Sequence, residues 1–299
     1  MTNGTALRAL LGGLVDYAGL FPPAALPMPD AVARYARYAS GPHRTMLGRF
    51  VLPVARLDEF AVAADHVLPR GADGVSPAGP WRLSALAGPT DGETLVAFNP
   101  WEEGRALVDT VEAKAESAAA VSSIAAALGA RFTVYVEVPV RDDPAPLLRA
   151  VRDAGLRAKI RTGGVTADAF PAPAEVLRFL VACAELDVPF KATAGLHHPL
   201  RGEYPLTYAK ESATGTMYGF LNVFLASMLL RKGIPTAEVA PLLEERDARA
   251  ITATDDGITW RGRRVTLHEV ASARATFAGS FGSCSFEEPV QDLTSLQLI

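Results

Sequence analysis

Eight short apolar, β-branched runs recur along the chain, separated by stretches of helical periodicity, and this alternation constrains the fold more than any other feature. The runs are Leu14–Tyr17, Met46–Pro53, Trp81–Ala87, Ala106–Lys114, Phe132–Pro139, Arg157–Thr162, Phe190–Leu196 and Ser280–Ser285. Strands that alternate with helices imply βαβ units and a parallel sheet. A count of eight favours an α/β fold closed into a (β/α)8 barrel over an open sheet.

The intervening segments carry their own boundary signals. Helices are expected over Leu57–Val67 and over Gly92–Trp101, the latter bent by Pro100. An Ala-rich helix has Ser117 as N-cap and Gly129 as stop, and Asp142-Asp143-Pro144 opens another that closes at Gly155. A further helix spans about Pro173 to Leu186. The last third departs from the repeat. Tyr218–Arg231 and Thr236–Glu245 read as helices, and Ile251–Thr266 as a small hairpin with turn signals at Asp256-Gly257 and Arg261-Gly262. Gly215–Phe277 is thus an expected insertion before the last strand, within a single domain covering 1–299, since no Pro-, Gly- or Ser-rich linker sets it apart.

Composition excludes several function classes. Nearly half of the 299 residues are hydrophobic (49%) and 21% are charged, enough apolar material for a large core. The formal net charge of −4 offers no basic footprint for nucleic acid. No apolar run reaches the ~20 residues of a membrane span. The greasiest stretch, Val223 to Leu230, reads as a buried helix and as a candidate interface between copies in a homo-oligomer. No secretion signal opens the chain, and Cys183 and Cys284 give no disulfide framework, so a cytoplasmic location is expected.

Lysine usage is more telling. Of 29 basic residues only five are lysines (Lys114, Lys159, Lys191, Lys210 and Lys232), the other 24 being arginine. An arginine-biased chain keeps lysine where a guanidinium cannot serve, above all where an amine must lose its proton and attack a carbonyl. Lys114, Lys159 and Lys191 all fall at the carboxyl ends of expected strands, which form the active-site face of a (β/α)8 barrel. Alternation places Lys159 with Arg161, Lys191 with Thr193, and Glu112 with Lys114, while Glu137 ends its own strand. Any one of these charges alone is explained by a structural salt bridge; the cluster is read as an active site.

Small-residue turns follow the same strands: Arg161-Thr162-Gly163-Gly164, Thr193-Ala194-Gly195 and Gly282-Ser283-Cys284-Ser285. Each is readable as an ordinary tight turn. Together they resemble an anion cradle, since glycine lets backbone N–H groups approach and Ser or Thr adds hydroxyl donors. Cys284 is read as a small turn residue and Cys183 as core.

These motifs resemble the deoxyribose-phosphate aldolases. Lys159-Ile160-Arg161-Thr162-Gly163 is similar to their Lys-x-x-Thr-Gly strand, whose lysine forms the Schiff base. Lys191-Ala192-Thr193-Ala194-Gly195-Leu196 is similar to their next lysine strand, whose lysine lowers the pKa of the first. Val134-Tyr135-Val136-Glu137 resembles the acidic strand before them, and Gly282-Ser283-Cys284-Ser285 their phosphate turn. The similarity covers about a quarter of the chain. Arg161, His197-His198, the insertion and the segment from Asp16 to Pro23 depart from the pattern. The resemblance implies a cofactor-independent, aldolase-like lyase acting on a small anionic carbonyl compound, phosphorylated or carboxylated. Lys159 would form the imine, with the reverse assignment to Lys191 open, and Glu137 would move protons. Arg161, Thr162, Gly163, Gly164, Thr193, Gly195, His197, His198, Glu112, Lys114, Gly282, Ser283 and Ser285 would bind substrate.

Two rival readings stand beside it. A metal-dependent lyase or hydrolase would use His197, His198 and Glu137, with Glu112 or Asp16. Adjacent histidines on a strand face opposite ways, so both reach one ion only from a loop, which Pro199 allows; otherwise one faces substrate and the other packs. The second rival is a barrel that binds an anionic metabolite without catalysis.

Overall fold

The computed structural model describes residues 4–68, 79–101 and 104–299. All eight runs form strands of one closed, all-parallel barrel: Val15–Tyr17 (β1), Leu47–Pro53 (β2), Trp81–Leu86 (β3), Ala106–Lys114 (β4), Thr133–Glu137 (β5), Arg157–Arg161 (β6), Phe190–Thr193 (β7) and Ala278–Ser283 (β8). Neighbours follow chain order around the ring, and β8 closes on β1 with Asp16 opposite Gly282. The molecule is a (β/α)8 barrel, an architecture that commonly carries enzyme sites at its carboxyl face.

Local chemistry sets the helix limits. The Ser117 hydroxyl accepts the Ala120 N–H to start the helix Ala118–Ile124, and the Asp143 carboxylate accepts the Ala145 N–H to start Ala145–Asp153. Gly155 then takes a left-handed φ of 67°, a conformation that costs a side-chain-bearing residue about 1–2 kcal/mol. The helix Pro173–Leu186 begins at its proline, with Glu175 reaching back to the Ala172 N–H.

The segment before β8 differs from expectation in three ways. Gly202–Pro205 and Thr214–Met217 pair as an antiparallel ribbon that has no clear apolar alternation in its sequence. Ile251–Ala253, Gly257–Trp260 and Arg263–Thr266 form a three-stranded meander rather than one hairpin, because both turn signals are used. The greasy helix Phe220–Arg231 is not an interface between copies, since residues 220–230 are all buried within the chain. Its apolar surface runs all round because Phe220 stacks on Phe281 and Phe224 on Phe190, while the helix Pro173–Leu186, the segment Ala240–Glu244 and the meander strand Arg263–Thr266 pack on its other sides. Of its two buried polar residues, Asn222 binds the Leu242 and Glu245 carbonyls and accepts the Arg201 N–H, and the Ser227 hydroxyl donates to the Phe224 carbonyl. Among the described residues no helix is long and apolar enough to cross a membrane.

Candidate active site

Strand alternation gives the barrel two unlike faces. Outward residues such as Tyr17, Ile160, Phe190 and Phe281 join the apolar layer beneath the helices. Inward residues near the carboxyl ends of β4 to β8 and β1 include the charged and hydroxyl groups Glu112, Glu137, Lys159, Lys191, Ser280 and Asp16. Register then aligns them: Glu137 lies opposite Lys159, and Lys159 opposite Lys191.

The result is a buried chain of alternating charge. Lys191 Nζ donates to Asp16 Oδ2 and Glu112 Oε1, each at 2.6 Å. Lys159 Nζ donates to Glu112 Oε2 at 2.8 Å and also lies 2.8 Å from Glu137 Oε2. Arg161 Nε leans on Glu137 Oε1 at 3.3 Å. Ser280 and Ser84 hydroxyls donate to Asp16 and Glu112, and the Arg49 N–H donates to Asp16, so the carboxylates are fixed from several sides. Asp16 and Arg49 thus meet through the backbone, while the Arg49 guanidinium pairs with Asp109.

Burial would raise the Glu112 carboxyl, but the two flanking ammoniums hold it well below the usual carboxylate range. Glu137 is lowered for the same reason, Lys159 outweighing desolvation. Burial pulls the Lys191 ammonium down, and Asp16 and Glu112 more than offset it, so its value is raised and the charge is locked. Access separates the two lysines. Both side chains are buried, Lys159 at 4% and Lys191 at 1% exposure, but Lys159 lines the cavity with Glu112 and Lys191 does not.

That cavity, about 330 Å³, opens at the carboxyl face. It falls within the ordinary range for small-molecule sites. Phe21, Pro22, Val51 and Leu86 form one wall and Arg161, Gly164, Thr193 and Gly195 the opposite one. The ribbon covers the mouth with Pro205, Leu206, Tyr208 and Met217.

The expected turn residues divide. Thr193, Gly164, Gly195 and Gly282 line the cavity. Thr162 is fully buried and its hydroxyl donates to the Ala194 carbonyl, stitching two loops together. A Cβ on Gly163 would fall 2.4 Å from the Phe170 ring, and one on Gly195, at φ 70°, would meet both Phe170 and Gly163. Ser283 and Ser285 are not among the cavity-lining residues. Lys114 reaches solvent at 74% exposure and lies 3.8 Å from Glu137, at the rim.

His197 and His198 lie on the loop after β7, which leaves the strand through left-handed Ala194 and Gly195. Both line the cavity, so the expected division into one facing and one packed histidine does not hold. His197 Nδ1 is 2.8 Å from Glu288 Oε2, and His198 Nδ1 is 2.6 Å from Asp292 Oδ2. His198 also stacks on Tyr204. The two carboxylates are one turn apart on the helix Glu287–Ser295, which presents them side by side. Tyr208 donates to Glu288 and lies 3.5 Å from Cys284 Sγ. Burial raises the Cys284 thiol, so it is not an activated thiolate. Among the described residues no three His, Cys, Asp or Glu side chains are grouped to hold a metal ion.

Sequence reasoning missed Glu288, Asp292 and Tyr208. The four-residue spacing of Glu288 and Asp292, matched against two adjacent histidines, was the available signal. A comparison with protein-family models and with curated protein sequences finds no match for this chain.

Proposed function

We propose that the protein is an aldolase-like carbon–carbon lyase of the Schiff-base type, with Lys159 as the imine-forming residue and a small anionic carbonyl compound as substrate. The observation that carries this reading is the unequal placing of the lysines: Lys159 faces the cavity, and Lys191 is sealed as a permanent cation behind Glu112. A buried amine flanked by carboxylates at a barrel's carboxyl face has the parts that imine chemistry needs.

Lys159 first gives a proton to Glu137, whose Oε2 is 2.8 Å away. The neutral amine adds to the substrate carbonyl carbon, and the proton this releases from the nitrogen passes to the carbonyl oxygen, giving a carbinolamine hydroxyl. That hydroxyl leaves as water with the proton returned by Glu137, giving the iminium. Cleavage of the bond between the α and β carbons sends its electron pair into an enamine, and the β-hydroxyl gives its proton to Glu137 as the aldehyde departs. Glu137 returns that proton to the α carbon, and addition of water to the resulting iminium releases the second carbonyl product and Lys159. Lys191 neutralises Glu112 from the far side throughout, so Lys159 shares that carboxylate.

Enamine formation has its own readout. Incubation with 2-oxobutanoate in D2O, followed by proton NMR, is expected to show α-proton exchange that Lys159→Arg abolishes. No exchange by the native protein with this probe or with propanal, despite binding, would favour the non-catalytic metabolite-binding barrel.

A further inference from the structure

We infer that the substrate of this site carries a carboxylate and an apolar body, and no phosphate group. The inference deepens the lyase reading and rests on it for the carbonyl; the other groups are read from the cavity walls.

Barrels of this type hold phosphate on the N–H groups and hydroxyls of the turns after their last strands. Here that corner is already occupied by the protein itself. The Ser283 hydroxyl accepts the Ser285 N–H and lies 3.4 Å from His197, and the Ser285 hydroxyl accepts the Glu288 N–H. The helix that starts beside this turn carries Glu287 and Glu288 in its first turn, so its positive end already has its own anions. The Glu288 carboxylate lines the cavity and is fixed by His197 and Tyr208. Burial raises it and the His197 contact outweighs that, so it stays ionised. A phosphate dianion in this corner would face a fixed like charge. In the preceding turns the Thr162 hydroxyl is taken by the Ala194 carbonyl, and the Phe170 ring crowds the Cα atoms of Gly163 and Gly195.

The opposite end of the polar wall suits a different anion. Arg161 lines the cavity with Nε on Glu137, and its two terminal nitrogens have no hydrogen-bond partner among the described residues. A planar guanidinium fork matches a planar carboxylate. Facing it, Phe21, Pro22, Val51 and Leu86 give an apolar surface suited to a hydrocarbon body.

Calorimetric titration of the whole protein separates the ligand classes with non-reacting probes: 2-hydroxyhexanoate, hexane-1,2-diol, glycerol 3-phosphate and inorganic phosphate. The expected result is tightest binding of 2-hydroxyhexanoate, weakened about ten- to a hundredfold by Arg161→Gln, as loss of a charge-assisted contact implies. Glycerol 3-phosphate binding as tightly or more tightly would overturn the inference. So would equal binding of the diol, or no binding of 2-hydroxyhexanoate. Retained preference for 2-hydroxyhexanoate without α-proton exchange would remove the lyase reading and leave the ligand class standing.

Discussion

Lys159, Glu112 and Lys191 form a buried group in which each charge is held by the next, and the consequences of cutting it differ by position. Glu112 touches both ammoniums. Glu112→Gln leaves two buried cations one carboxylate short, and removing one partner of a buried pair costs about 3–5 kcal/mol, readable in urea unfolding. Lys159→Arg keeps the charge and removes the amine that can attack. It is expected to leave the urea midpoint within the spread of ordinary substitutions while abolishing α-proton exchange; retained exchange would place the nucleophile elsewhere. The lysines could be picked out in the sequence because arginine is otherwise so strongly preferred. Glu288 is marked only by its four-residue spacing from Asp292, which does not by itself say that it meets a histidine 91 residues away.

At the scale of elements, the eight barrel strands were legible because apolar alternation and strand-end glycines mark them locally. The strand expected over Phe190–Leu196 ends instead at Thr193, where Ala194 and Gly195 turn left-handed. The ribbon of residues 202–217 escaped notice because its strands, Gly-Glu-Tyr-Pro and Thr-Gly-Thr-Met, are short and mixed in character. The oily helix Phe220–Arg231 showed its hydrophobicity plainly but not what covers it, which only the packing supplies. The loops after β6 and β7 offer a direct test. Gly163→Ala drives a methyl into the Phe170 ring, so it is expected to destabilise the protein, and Phe170→Ala is expected to relieve much of that effect in the double variant. Gly195→Ala adds left-handed strain of about 1–2 kcal/mol, which Phe170→Ala does not relieve. Strictly additive unfolding energies for the Gly163 and Phe170 pair would contradict the contact.

For the whole molecule, the interior charge ladder sets the pH range of stability. Glu112 and Glu137 are both held below their ordinary value of 4.5. Their contribution is therefore full above that value and lost as pH falls through the lowered ones. Lys191 is raised above 10.5, so its contribution is full below that value and lost as pH rises further. Thermal unfolding is expected to show a plateau between these limits, and the fall on the acid side should be shallower in Glu112→Gln. An acid limb of unchanged slope in that variant would show that other groups govern it. The central claim, that the barrel performs imine chemistry through one particular lysine, is tested most directly by borohydride reduction in the presence of 2-oxobutanoate, read by peptide mass. The account predicts a single stable adduct on Lys159, absent in Lys159→Arg. An adduct on Lys191, or none on either lysine, would contradict it.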